Sequence, residues 1–483
     1  MKSLNPEKKY RPYLHFVPKK NWMNDPNGLI YFKGEYHLFF QYNPNDSKWG
    51  PMHWGHAVST DLITWTELPI ALYPDEHGTI FSGSAVVDWN NTTGFFPDEP
   101  GIVAIFTHHF DNGVDNPPKQ SQSLAYSHDN GRTWIKYGDN PVLEHDRKID
   151  FRDPKVFWHK NTDKWIMVLA TGQTVSIYSS VNLINWHFES EFGTDVGSHD
   201  GVWECPDLFE LAVDNTNESK WMLIVSIGDN LHLDQGSRTQ YFIGSFDGSR
   251  FHVEHETIKW LDYGKDNYAG VSFSDIPTTD GRRIYLGWMS NWRYANEVPT
   301  HGWRSEMTVP RELTLCKYDN SYYVVQQPVK ELDQYFTTRE KVINKQVSKE
   351  VRYAFDELYG MITLVLENQG ATKYRLDIHH TESNVTSVII DMEESVLTLD
   401  RSRSGVTSFS DNFSLHQKLP LLQTEQIELN ILIDSSSIEI FVNGGELALT
   451  SLVYPDKTCK EISLHTFNGD VIIKEGYFSK PIS

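Results

Sequence analysis

Short apolar runs rich in aromatic and β-branched residues recur along the chain between Gly, Asn, Asp and Pro clusters. No long stretch keeps a 3.6-residue period, so the pattern predicts strands throughout. Five runs are strongly apolar: YHLFFQY from Tyr36, IVAIFTH from Ile102, WIMVLAT from Trp165, WMLIVSI from Trp221 and RIYLGWM from Arg283. Their starts lie 66, 63, 56 and 62 residues apart. The first four are each followed by a turn of the form Ser-x-Asp/Asn and then an aromatic: Ser59 to Trp65, Ser127 to Trp134, Ser180 to Trp186 and Ser245 to Phe251. A four-stranded unit with its turns takes roughly 45–65 residues, so five units predict a five-bladed β-propeller over about 10–330. Its inner strands would converge on one central funnel. A β-sandwich with coincidental spacing is the alternative.

The repeat breaks at VKELDQYFTTREKVINKQVSKE, a charge-dense, glycine-free stretch that reads as a short helix and a linker over 331–350. Period-2 alternation then returns in MITLVLENQ, YRLDIHH, TSVIIDMEESVLTLD and IELNILIDSSSIEIFVNGG, where NGG signals a tight hairpin. These strands predict a C-terminal β-sandwich over 351–483. A chain of 483 residues exceeds what one hydrophobic core supports, which agrees with two domains.

Composition narrows the partners. A net charge of −22 repels phosphate backbones and anionic lipid, so neither nucleic acid nor membrane is expected. A neutral ligand fits best. Three widely spaced cysteines, Cys205, Cys316 and Cys459, give neither a disulfide framework nor a zinc pattern. The Lys-rich start, Met1–Tyr13, lacks an apolar signal core, so the expectation is a cytoplasmic protein, with secretion the alternative.

Three acidic segments carry candidate chemistry: NWMNDPNGLIY (Asn21–Tyr31), DFRDPKVFW (Asp150–Trp158) and VWECPDLFEL (Val202–Leu211). Each sets a carboxylate beside Pro or Cys-Pro among large aromatics. A single Asp-Pro is most simply a turn. Three in apolar settings call for a use, because an unpaired buried charge is costly.

WMNDPNG, QYNP (Gln41–Pro44), FSGSA (Phe81–Ala85), FRDP and WECPDLF, in this order, resemble the motif series of glycoside hydrolase family 32, which contains invertases, levanases and exo-inulinases. The resemblance spans essentially the whole chain and implies a five-bladed propeller followed by a sandwich. It implies Asp25 as nucleophile, Glu204 as general acid/base and Asp153 as transition-state stabiliser, with Arg152 beside it. The implied sugar contacts are Asn24, Asn27, Gln41, Trp49, Phe81, Ser82, Tyr268 and Trp288. The substrates implied are sucrose and the fructans levan and inulin, cleaved from the end with retention, with no metal and no cofactor. A homodimer through the C-terminal domain is a further expectation.

Elementary chemistry agrees with those roles. Retaining hydrolysis needs two carboxyls about 5–5.5 Å apart, one ionised and one protonated. Asn24 and Asn27 are expected to donate to the Asp25 carboxylate and keep it ionised. The apolar neighbours Trp203 and Cys205 are expected to raise Glu204, and Arg152 to hold Asp153 charged. The segment Leu286–Leu315 looks most like the levanase and exo-inulinase branch. It supplies Trp288, Trp292, Tyr294 and Trp303 as rim faces, with Arg293 and Arg304 offset by Glu297 and Glu306.

SHDNGRTW (Ser127–Trp134) reads as a structural Asp-box turn, Cys205 as a small buried residue, and His53 and His56 as packing or sugar contacts. Two alternatives remain: a fructosyltransferase using the same residues, and a non-catalytic carbohydrate-binding propeller. A sialidase is disfavoured by the single full Asp box.

Overall fold

The protein is described by a computed structural model over residues 6–113, 116–233, 236–255, 257–421, 425–457 and 459–482. It is nearly all-β. Five antiparallel sheets occupy the first two thirds of the chain, and their inner strands are Asn21–Phe32, Thr79–Val87, Arg152–His159, Trp203–Ala212 and Tyr268–Ser272. Each inner strand touches the next, and the fifth touches the first, so the five sheets close into a ring. The ring is latched by Trp303–Arg304, which leaves the fifth sheet to pair in parallel with Asn21 and Trp22.

The repeated Ser-x-Asp/Asn turn joins the third and fourth strands of the first four sheets. In three of them the closing indole donates back into the turn: Trp65 Nε1 to Leu62 O at 2.9 Å, Trp134 to Gly131 O at 3.0 Å, and Trp186 to Leu183 O at 2.8 Å. The residue giving that carbonyl is left-handed in each, with φ of 68°, 78° and 62°. Gly131 adopts this freely. For Leu62 and Leu183 it costs about 1–2 kcal/mol, which complete burial of the leucine side chain, worth about 1.5–3 kcal/mol, offsets.

One irregularity recurs in every inner strand. The register slips between Met23 and Pro26, Ile80 and Gly83, Arg152 and Lys155, Glu204 and Asp207, and Tyr268 and Val271. Such bulges re-aim side chains, and they explain Pro26, Pro154 and Pro206. Proline has no N–H for the ladder, so a strand tolerates it where the ladder is already broken. The Asp-Pro pairs are therefore bulges inside strands rather than turns between them. Asp153, Cys205 and Ala269 are left-handed there, at φ 63°, 46° and 52°. Their freed N–H groups are caught by Thr107 Oγ1, Asp153 Oδ2 and Ser226 Oγ, each at 3.0 Å.

The remainder forms two six-stranded sheets that share one hydrophobic cluster, including Ile362, Leu364, Ile431 and Ile440 from one sheet and Leu376, Val388, Leu399 and Leu464 from the other. The expected linker over 331–350 is corrected in part. Lys330–Tyr335 is a short 3₁₀ helix, but Phe336–Val347 is an edge strand paired along Asp470–Pro481. Charge density there reflects an edge strand with a solvated face, a pattern that sequence alone does not separate from a linker. The two parts of the chain meet through buried ion pairs of His15 with Asp434 and Glu439 and of Arg311 with Glu439, and through a hydrogen bond from the Thr450 hydroxyl to Asp262.

Candidate active site

The five bulges lie at the same end of the ring, and the side chains they re-aim converge. A cavity of about 170 Å³ is lined by Asn24, Asp25, Gln41, Trp49, Phe81, Ser82, Arg152, Asp153, Glu204 and Trp292. Three carboxylates from three different inner strands share it with one guanidinium.

Asp25 Oδ1 accepts from Asn24 Nδ2 at 3.0 Å, and Oδ2 from Ser82 Oγ at 2.7 Å. The buried Trp22 indole donates to Asn24 Oδ1 at 2.7 Å, which orients the amide so that its NH₂ faces Asp25. Asn27 departs from expectation. Fully buried, it donates to the Asp25 main-chain carbonyl and accepts from Gly83 N–H, holding two inner strands together instead of touching the carboxylate. Burial, then repulsion from Glu204, raises Asp25 above the usual carboxylate value, and the Ser82, Asn24 and Cys205 contacts only partly oppose this. The expectation that amides alone keep it low is thus corrected.

Arg152 also departs from expectation. Its Nη2 meets Glu204 Oε1 at 3.0 Å and its Nη1 binds Asp150, whereas Nε lies 3.9 Å from Asp153. Glu204 Oε2 accepts from the Tyr268 hydroxyl. Polar partners therefore surround the Glu204 carboxylate, not the apolar neighbours expected. The Trp203 indole turns away to the Ser198 carbonyl, because successive side chains of a strand point to opposite faces. Burial pushes Asp153 up to about 7, Arg152 opposes this, and Glu204 and Asp25 reinforce it.

Cys205 sits between two acids, its Sγ 3.5 Å from Asp25 Oδ2 and 3.7 Å from Asp153 Oδ2. Burial, with the surrounding carboxylates, raises its thiol well above the ordinary value, so it stays protonated and donates rather than reacting.

Among the sugar contacts, Gln41 stands on the wall with its Nε2 buried and unpartnered among the described residues, a donor ready for a hydroxyl. Phe81 stacks on His109 at 4.2 Å and meets Trp49, which is 47% exposed. Tyr268 reaches the site through Glu204. Trp288 does not line it: completely buried, it packs between Trp22, Tyr268 and Trp292. Trp292 takes the wall position.

The strand Arg283–Met289 ends before Trp292, so Trp292 lies at the rim while Trp288 lies in the ring. That strand end was the available signal. Tyr294 and Trp303 are likewise buried, bonded to Asp266 and to the Glu7 carbonyl. Arg293 pairs with Asp229, and Arg304 donates to the Asn296 and Val298 carbonyls, rather than to the Glu297 and Glu306 expected. His56 stacks on Phe39 and meets His37, and His53 bonds the Pro51 carbonyl.

Comparison with known proteins places this geometry. Residues 15–328 match the model of the glycosyl hydrolases family 32 N-terminal domain, and 329–478 that of the family 32 C terminal. A levanase of Bacillus subtilis (strain 168) is 49% identical over 476 residues, covering 96% of this chain and 69% of the relative. An extracellular exo-inulinase of Aspergillus niger is 36% identical, covering 97% and 94%. The crystal structure of exo-inulinase from Aspergillus awamori superposes with a TM-score of 0.92 at 34% identity, covering 99% of this chain and all of that one. A fructofuranosidase from Schwanniomyces occidentalis complexed with fructose superposes at 0.89 and 33%, covering 99% of both chains.

Proposed function

The chain belongs to glycosyl hydrolase family 32, and from that premise we propose that it removes terminal β-fructofuranosyl units from sucrose and fructans, with Asp25 as nucleophile and Glu204 as general acid/base. The observation that carries this reading is the convergence of Asp25, Asp153 and Glu204 on one small cavity with a single arginine. Family membership and the levanase and exo-inulinase relatives support the substrate class. The ring of five sheets supports reading 10–330 as a five-bladed propeller carrying the site, and the paired six-stranded sheets support a sandwich over 351–483.

Hydrolysis runs in two displacements. A carboxylate oxygen of Asp25 attacks the anomeric carbon as its bond to the leaving oxygen breaks, and Glu204 delivers a proton to that oxygen. Glu204, now ionised, takes a proton from water, whose oxygen displaces Asp25 and releases β-fructose. Three buried carboxyls facing one guanidinium favour keeping a proton within the cluster, and its titration belongs to the group rather than to one residue. Arg152 and Tyr268 hold Glu204 in place for both transfers. Asp153 bonds fructose hydroxyls and meets the positive charge that develops on the ring. Trp49, Phe81 and Trp292 offer apolar faces to neutral rings.

Stereochemistry tests the mechanism. NMR during early sucrose turnover is expected to show β-fructose before mutarotation, and α-fructose first would refute double displacement. Levan and inulin are expected to yield free fructose as the main early product, and early oligosaccharides would contradict end-on cleavage.

A further inference from the structure

The ring has a second mouth. The inner strands run away from the active site, and their far ends border a cavity of about 600 Å³, well within the 300–1,000 Å³ of small-molecule sites. Between the two mouths the axis is crossed by buried polar groups. Lys155 Nζ lies 3.3 Å from Asp207 Oδ2 and bonds the Ser272 carbonyl at 2.5 Å, while Ser272 N–H donates to Asp207 Oδ2 at 2.6 Å. A ligand in the far cavity therefore enters from the far side and does not meet Asp25.

From this geometry we infer that the far mouth is a second, non-catalytic binding site for a neutral sugar. The first support is an unmet polar group. Asp207 is fully buried and borders the cavity, and its Oδ1 has no hydrogen-bond partner among the described residues. A buried carboxylate oxygen left without a donor is costly, and a ligand hydroxyl donating to it removes that cost.

The second support is Arg283. Its guanidinium rests 4.8 Å over the Phe209 ring, and its Nη1 makes two long hydrogen bonds of 3.4 Å, to Ser272 Oγ and the Phe273 carbonyl. No carboxylate lies within ion-pair distance of it among the described residues, so donors remain for a ligand oxygen. The third support is the wall. Trp158 and Trp221 border the cavity, and so does Trp89, 56% exposed, whose indole bonds Asp275 at 2.8 Å. Flat apolar faces beside one strong acceptor and one strong donor suit the C–H faces and hydroxyls of a sugar ring.

Charge selects a neutral ligand. Lys155, Lys160 and Arg283 are balanced by Asp207, Glu210 and Asp275, so an anion would meet three carboxylates and a cation three basic groups, each at the cost of desolvation. A polyol can donate to Asp207 and accept from Arg283 together.

Fructose is the probe, a choice that rests on the reading of the active site above. Hydrogen–deuterium exchange of the unmodified protein with fructose is expected to slow exchange in two separate places: peptides covering 24–27, and peptides covering 157–161 and 274–278. Equilibrium dialysis of labelled fructose is expected to give two sites per chain. Trp89→Ala combined with Arg283→Gln should reduce this to one while keeping protection at 24–27. One site in the unmodified protein, no protection at the far mouth, or two sites surviving in the double variant would overturn the inference. If the double variant fails to fold, exchange in the unmodified protein decides. Protection at the far mouth without protection at 24–27 would count against the active-site reading and leave this one standing.

Discussion

Two of the molecule's clusters of acids manage their charge in opposite ways. At the junction between its two parts, His15 Nδ1 meets Asp434 at 2.8 Å and Nε2 meets Glu439 at 2.8 Å. Arg311 bridges Glu439 and Asp262, and the N–H groups of Tyr13 and Leu14 close on Asp434. Burial pushes Asp434 up, but His15 and those N–H groups more than reverse it, and its carboxyl ends low. Glu439 follows the same course through Arg311 and His15. Burial lowers His15, but its two acids raise it to about 10. Glu306, bonded to Ser436 and without an ion-pair partner among the described residues, shows the reverse, and burial pushes it to about 8.

At the candidate active site, Arg152 engages Asp150 and Glu204, and both Asp25 and Asp153 end above their usual values. Asp434 and Glu439 are completely buried and each touches a cation, whereas Asp25 pairs with no cation among the described residues and Asp153 lies 3.9 Å from the Arg152 Nε. A compensated cluster stabilises the fold; an under-compensated one keeps a proton and a strained charge available for chemistry.

Removing the chemistry should give the largest effect. Asp25→Asn is expected to lower kcat by at least about ten-thousandfold, the scale seen when a nucleophile is lost. Glu204→Ala is expected to lose several orders of magnitude on sucrose, with azide partly restoring turnover. Steady-state kinetics check both, and more than about a hundredth of wild-type kcat in Asp25→Asn would break the assignment.

The compensated cluster should respond in stability instead. His15→Gln leaves Asp434 and Glu439 short of a buried cation, and urea unfolding is expected to show a loss of about 3–5 kcal/mol. The kcat of the folded variant should stay within twofold. The sign of its pH dependence follows from His15 being raised. Its contribution is complete below the unfolded value of 6.5 and is lost progressively as pH rises toward about 10. A wild-type midpoint that is flat across that window would break the ion-pair account.

Asp153 offers a smaller test, with the same sign of pH dependence but a substitution that stabilises. Its folded value near 7 exceeds the unfolded 3.8, so the native state binds the extra proton and wild-type stability falls as pH rises between them. Asp153→Asn should therefore unfold at higher urea than wild type at pH 8, with the advantage shrinking toward pH 4, although activity falls. The smallest expected effect is that of a chelator. If a proton and Arg152 manage the charge of the site, dialysis against one should leave kcat within twofold. A large loss restored by Zn²⁺ or Mn²⁺, with folding intact, would mean that a metal supplies the missing compensation.

Much of this protein could be read from its residues alone. The spacing of five apolar runs and the repeated Ser-x-Asp/Asn turn marked the five sheets. The motifs NDPN, FRDP and WECPD singled out three acids that the fold brings to one cavity, because each short motif packs a carboxylate, a proline and large rings into a bulge whose local geometry is encoded locally. Tertiary structure decided which groups those acids meet. Arg152 adjoins Asp153 in sequence yet serves Glu204, and Asn27 lies two residues from Asp25 yet binds its backbone. Left-handed bulge residues turn neighbouring side chains apart, and partners are supplied by strands some 50 to 180 residues away, such as Ser82 and Cys205 for Asp25. Trp288 and Trp292, four residues apart with the same chemistry, part company because a strand end falls between them. The balance of charge in each buried cluster is likewise a sum over distant strands, and local sequence does not carry it.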